Sequence, residues 1–268
     1  MLCFQTPRVL ALLFSLCLFP VCTATAFPAK SGLVLNMRNG RVLYAHKADL
    51  SLPPASLTKI MTLFLALDAV RAKQISLNTL VKIGKNASNV GGSSMHLKAG
   101  ERVPLHSLLA GMAVASGNDA ATAVAQRLAN GSTKNFVKRM NRKISALGLR
   151  RTQFRNPTGL PDPGQKSTAR EMALLARAYL RAHPRARDMH ALPSVSHNGR
   201  ALYNTNGLLG QQGIDGLKTG FTSAGYNIVI TAGRDKTRLL AVVMGAASRA
   251  ARDAAVEELL ARGFGVRK

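Results

Sequence analysis

Residues 226–246 read YNIVITAGRDKTRLLAVVMGA, two β-branched-rich apolar runs joined by Arg234-Asp235-Lys236. Val, Ile and Thr suit a pleated, half-buried surface, and a few polar residues between two such runs predict a hairpin. Near the other end, GLVLNMRNGRVLYAHK (32–47) repeats the pattern around Asn39-Gly40. Asn-Gly tolerates positive φ at both central positions, so a two-residue hairpin turn is expected there. Between these ends the periodicity is helical. Ile60 to Val70 is apolar on nearly every face, as in a helix buried within a domain. PLHSLLAGMAVASG (104–117) reads as a second buried helix, and NDAATAVAQRLANG (118–131) as an amphipathic one that stops at glycine. Phe136, Met140, Ile144 and Leu147 then recur at helical spacing, with Gly148 as the stop. Thr168 and Glu171 form a capping box before MALLARAYL, Pro184 closes that helix, and a last amphipathic helix runs from about Arg249 to Arg262. Strands at both ends with helices between predict an α/β (α+β) two-lobed fold: an antiparallel sheet from both termini with an inserted helical lobe.

The 268 residues are 47% hydrophobic, enough for a sizeable core. Residues 1–26 stand apart: Arg8, an apolar run from Val9 to about Val21, then Ala24-Thr25-Ala26. A basic start, a short apolar stretch and an A-x-A site predict a secretory signal peptide cleaved after Ala26, leaving residues 27–268 as one domain. No second domain and no C-terminal membrane anchor are expected. Cys3, Cys17 and Cys22 all fall in this first segment, so the mature chain would hold neither a disulfide nor a thiol nucleophile. Phe19-Pro20-Val21 lacks the small residues expected before a lipidated cysteine. An exported protein in a periplasm or cell envelope is the expectation. The net charge of +25 then favours contact with anionic lipid or wall polymer over nucleic acid, alongside the plainer reading of a solvated surface.

PPASLTKIMTLF (53–64) places Ser56 and Lys59 three apart at the head of a buried helix, close enough to touch. A serine hydroxyl needs a base, and a lysine serves only if burial or a second cation destabilises its ammonium. The same four residues also fit a helix-capping serine and a solvated lysine. Ser116-Gly117-Asn118 sets a hydroxyl and a carboxamide in a turn between helices; Ser196-His197-Asn198 is a second copy, expected in a surface loop. Lys218-Thr219-Gly220, expected on an exposed strand, offers a cation and a hydroxyl to a carboxylate, and glycine leaves room for a ligand along the strand. Each motif alone is weak. The six histidines are scattered without a His-Glu-x-x-His pattern, so neither a metal nor another cofactor is implied.

Taken in order, Ser-x-x-Lys, Ser-x-Asn and Lys-Thr-Gly are the signature of the penicillin-recognising serine enzymes. The chain resembles the low-molecular-mass penicillin-binding proteins, serine-type D-Ala-D-Ala carboxypeptidases of peptidase family S11. The likeness extends through GGSSMHLKAGE, NPTGL, NTNGLL, GIDGLKTGFTSAGYNIV and LLARGFG. It implies Ser56 as nucleophile, Lys59 as base and Ser116 as proton relay to the leaving D-alanine. Asn118 would hold the substrate amide and Lys59. Lys218 and Thr219, followed by Gly220, would bind the terminal carboxylate, with Lys218 keeping Lys59 neutral. The N–H groups of Ser56 and Phe221 would form the oxyanion hole. Peptidoglycan stem peptides are the implied substrate and β-lactams covalent inhibitors. One departure is Lys166, where an aromatic is expected in a loop beside the cleft. Two alternatives use the same acylation: a D-Ala-meso-diaminopimelate endopeptidase, and a β-lactamase. The second needs a deacylating glutamate, and the only glutamate between Ser116 and Lys218 is Glu171, already read as a capping residue.

Overall fold

The computed structural model describes Met1 and residues 26–265; the segment expected to be a signal peptide, apart from Met1 and Ala26, and its three cysteines lie outside the described residues. Strand β1 (Ala29–Asn36) and β2 (Val42–His46) lead to a 3-10 turn (Ala55–Thr58) and helix α1 (Lys59–Arg71). Then come β3 (Leu80–Lys82), α2 (Lys85–Ser88), β4 (Arg102–Pro104), α3 (Leu105–Val114), α4 (Asn118–Leu128) and α5 (Thr133–Ala146). They are followed by α6 (Ala169–Ala182), α7 (Ala186–His190), β5 (Ser194–His197) and β6 (Arg200–Tyr203). The chain finishes with β7 (Ile214–Thr222), β8 (Gly225–Arg234), β9 (Thr237–Ala246) and α8 (Arg249–Gly263). The main sheet is antiparallel in the order β2-β1-β9-β8-β7, so the two ends of the chain meet where β1 pairs β9. The expected two-lobed architecture is the one observed.

Both faces of this sheet are covered, which explains its near-continuous apolar strands. Leu33, Leu35, Leu240, Val242 and Met244 join the core shared with the helical lobe. Their neighbours Val34, Leu239, Ala241 and Val243 face the other way, into a second core under α8. Period-two alternation thus divides one strand between two cores. Helix α1 runs through the middle of the helical lobe against α3, α4, α5 and α6. Ile60, Met61 and Leu63 are fully buried, each such burial stabilising by ~1.5–3 kcal/mol.

Four sequence expectations need correction. Asn39-Gly40 does not make a two-residue turn: Gly40 N–H donates to Asn36 O across a longer loop, and the Asn36 side chain accepts from Arg38 and Asn39 N–H. The asparagine before the turn therefore outcompetes the one within it. The two-residue Asn-Gly hairpin lies elsewhere, at Asn198 and Gly199, both at positive φ between β5 and β6. Ser196 and His197 are accordingly strand residues. Helix α4 is buried all round over Asn118–Ala125, because its small alanines let neighbouring helices close on every side. Finally, Thr168 accepts from Glu171 N–H as expected, but the Glu171 carboxylate does not return to the cap. It accepts instead from Arg151 N–H and the Thr152 hydroxyl.

Candidate active site

The site forms where the helical lobe meets the edge strand β7. Ser56 lies in the 3-10 turn and Lys59 is the first residue of α1, so the three-residue spacing stacks both side chains on one side of a continuous helical path. Lys59 Nζ lies 2.9 Å from Ser56 Oγ and donates to the carbonyl of Thr158 at 2.6 Å. Lys59 is fully buried. Burial, and then the charge of Lys218, hold its pKa well below the ordinary lysine value, with Asp119 pulling weakly the other way. The positive end of the α1 dipole acts in the same direction as burial. Apolar anchoring of α1 offsets the desolvation that a lysine in this position costs.

Strand β7 supplies the opposite wall. Alternation turns Lys218 and Gly220 toward the Ala55–Thr58 turn. Lys218 is 1% exposed, so the strand is an edge but this side chain is not in water. Burial pushes its pKa down to about 7, and its Nζ donates to Thr219 O at 3.0 Å. The Thr219 hydroxyl bonds that of Thr205 at 2.7 Å. Behind the strand, Asn227 donates to Pro53 O and accepts from Gly245 N–H, tying the approach to Ser56 onto the sheet.

The third wall comes from the α3–α4 junction. Ser116 follows the last turn of α3 at φ 64°, the left-handed position where glycine is usual. Asp119, in the first turn of α4, accepts from Ser94 Oγ and the N–H groups of Met95 and Leu97, fixing the loop between α2 and β4. The Asn118 carboxamide donates to Gly91 O at 2.6 Å and Asn118 N–H to Ser93 O. Its amide therefore braces the Gly92–Ser93 rim, and no hydrogen bond joins it to Lys59. Ser56, Ser116, Asn118, Thr219, Gly220 and Phe221 all line one cleft of about 560 Å³. Lys59 and Lys218 lie beneath it.

Some contributors were not singled out from the sequence. Thr158 and Gly159 belong to a loop organised by Asn156, whose side chain accepts from both N–H groups and from the Thr158 hydroxyl. An Asn-Pro-Thr-Gly run reads as a turn; its 99-residue reach to Lys59 does not show in the chain. Thr205 lies in the quoted NTNGLL stretch. Arg249 and Arg252 reach the cleft from the start of α8, and Arg252, almost wholly buried, pairs with Asp253 at 2.6 Å. Lys166 pairs its backbone with that of Gln153 and is not among the cleft-lining residues. Glu171 is likewise absent from them, and no carboxylate lines the cleft among the described residues.

An antiparallel sheet, an inserted helical lobe and a serine–lysine pair at their junction define a penicillin-recognising serine enzyme fold. Residues 21–248 match the family model described as D-alanyl-D-alanine carboxypeptidase, and the chain belongs to this peptidase family, S11. It is 37% identical over 245 residues to D-alanyl-D-alanine carboxypeptidase DacF of Bacillus subtilis, covering 89% of this chain and 63% of that one. The chain thus spans less than two thirds of that relative's length. Among solved structures, penicillin-binding protein 5 of Haemophilus influenzae superposes with a TM-score of 0.87 at 34% identity, covering 91% of this chain and 72% of its own. Ampicillin-bound penicillin-binding protein D2 of Listeria monocytogenes gives 0.81 at 33% identity, with 90% and 99% covered.

Proposed function

We propose that the chain is an exported serine-type D-Ala-D-Ala carboxypeptidase, with residues 1–26 as its signal peptide and residues 27–268 as its working domain. The observation that carries this reading is the buried Lys59 amine 2.9 Å from Ser56 Oγ, with Lys218 beneath the same cleft. Neutral Lys59 takes the Ser56 proton as Oγ attacks the carbonyl carbon between the two terminal D-alanines. The oxyanion is held by Ser56 and Phe221 N–H groups, and the strand edge at β7 leaves alternate N–H groups turned away from β8. Ser116 passes the proton to the leaving amine, and D-alanine departs. Water then cleaves the acyl ester with the same groups acting in reverse. Charged Lys218, with Thr219 and the nearby Arg252, binds the terminal carboxylate, while Gly220 lets the peptide lie along β7. Penicillin presents a strained amide and a carboxylate to the same groups, and acylates Ser56.

Purified protein incubated with a monomeric pentapeptide muropeptide and a cross-linked dimer tests this, read by mass spectrometry. Release of free D-alanine supports the proposal. Splitting of the dimer without trimming of the monomer assigns the endopeptidase reaction instead.

A further inference from the structure

We propose that the face formed by α5 and the loop after it is a docking surface for a flexible phosphodiester polymer of the cell envelope. The inference rests on the reading of the chain as an envelope enzyme. Residues 131–168 hold nine Lys and Arg against a single acid, Asp162. Three of the cations are committed elsewhere: Lys143 pairs Asp68 at 2.9 Å, Arg139 donates to Leu128 O, and Arg151 donates to Asp49 O at 3.0 Å. Acids that could neutralise the rest are also engaged. Glu171 accepts from Arg151 N–H and Thr152, and Asp49 is clasped by Arg170.

Uncommitted cations border two adjoining hollows. One, of about 600 Å³, is lined by Arg150 and Lys166 together with the tethered Arg151. Its neighbour, of about 440 Å³, is lined by Lys138 and Arg142, one helical turn apart on α5. Asn141 and Ser145 line both hollows. Asn141 is rigid, because its side chain both donates to and accepts from the Phe154 backbone. Two adjacent cationic hollows with a fixed saddle between them suit successive anions on one flexible chain.

The surface also indicates which anion carrier it fits. Neither hollow is lined by any of the large exposed hydrophobics among the described residues, such as Leu80, Leu174 or Phe221. Insertion into a bilayer therefore has no apolar wedge here, and single-stranded nucleic acid has no aromatic platform for its bases. A polymer of phosphodiester-linked polyols needs neither. The loop that bears Arg150, Arg151 and Lys166 continues through Thr158 to the Lys59 contact, so a docked polymer would hold the protein beside its substrate without occupying the cleft.

The test compares binding of a fluorescent glycerol-phosphate oligomer by the wild type and two triple variants. One carries Lys138→Glu, Arg142→Glu and Lys166→Glu; the control carries Lys82→Glu, Lys85→Glu and Lys236→Glu, an equal charge change on other surfaces. Fluorescent-penicillin labelling of all three reports an intact cleft independently of polymer binding. We expect salt-sensitive binding that the first triple weakens by about tenfold or more, while the control changes it far less. Equal loss in both triples overturns the proposal, since net charge alone would then explain binding. Wild-type preference for a single-stranded oligonucleotide or phosphatidylglycerol vesicles, lost in the first triple, overturns the polymer in favour of that partner.

Discussion

Gly220 stands so near Ser56 that a β-carbon on the glycine would lie 3.0 Å from the serine's backbone nitrogen. On the other side of the same turn, a β-carbon on Gly159 would collide with the carbonyl oxygen of Ala55, and Gly159 holds φ at 88°. Two glycines from distant segments therefore grip the turn that carries Ser56. Gly159→Ala drives its β-carbon into the Ala55–Ser56 backbone and should cost about 2–4 kcal/mol of stability, with loss of penicillin labelling. Gly220→Ala should retain more stability but slow acylation, because β7 must move away from Ser56. Thermal melts together with labelling rates separate the two effects; wild-type behaviour of Gly159→Ala would contradict the close approach.

Lys59→Arg should abolish acylation while keeping the charge. Arginine cannot release its proton at accessible pH, so the Ser56 hydroxyl loses its acceptor, a general-base contribution of roughly 10²–10⁴-fold. Normal labelling by fluorescent penicillin in this variant would remove Lys59 from the mechanism.

The two buried lysines predict a bell-shaped pH dependence of the second-order acylation rate. Lys59 must be neutral, so the rate falls as acid protonates it; Lys218 must be charged, so the rate falls again as pH rises through about 7. Lys218→Met should lower the rate and remove the alkaline limb. Stability follows from the same depression. Between about 7 and the ordinary 10.5 the unfolded lysine binds a proton that the folded one does not, so stability rises with pH across that window. Lys218→Met should therefore stabilise most below pH 7, by a few kcal/mol at ~1.4 kcal/mol per tenfold of proton affinity, and progressively less toward pH 10.5. Denaturant melts at several pH values read this directly, and a pH-independent benefit would count against the depressed value.

Ser116→Gly should separate stability from activity. The left-handed backbone at φ 64° costs serine ~1–2 kcal/mol, partly offset by the greater unfolded freedom of glycine. A net gain of up to about 1 kcal/mol is expected together with slower release of D-alanine, since the hydroxyl is lost. A variant both less stable and fully active would refute the assignment.

Penicillin bound to Ser56 should be released slowly, on a scale of many minutes, because no carboxylate lines the cleft among the described residues to activate water. Mass spectrometry of the acylated protein over time checks this; rapid return of free enzyme would favour a β-lactamase.

Much of this was legible in the chain, for definite reasons. The sheet strands could be read because Val34 and Val242 sit in continuous apolar runs, and α5 and α6 because their buried positions recur at helical spacing. Ser56 with Lys59 was readable because the contact is local. The Thr158 carbonyl beneath Lys59 was not, since its partner is remote in sequence and a backbone oxygen leaves no residue-type signal. Arg252 looked like one basic residue of a terminal helix; only the placement of α8 against the sheet brings it to the cleft. Asn36 misled the hairpin expectation because side-chain competition for turn N–H groups depends on geometry that a dipeptide rule omits.

The pairing of β1 with β9 also fixes an order of events. A sheet whose central partners come from opposite ends of the chain must close its longest loop before it can gain from the pairing, which makes closure slow and late. Strand β7, bearing Lys218, is held in that sheet only through β8 and β9. A growing chain that has finished the helical lobe already contains Ser56, Lys59 and Ser116, yet has no wall opposite them and no second cation to neutralise the base. On the proposed mechanism reactivity is thus gated by topology: Ser56 stays inert until the final hairpin arrives.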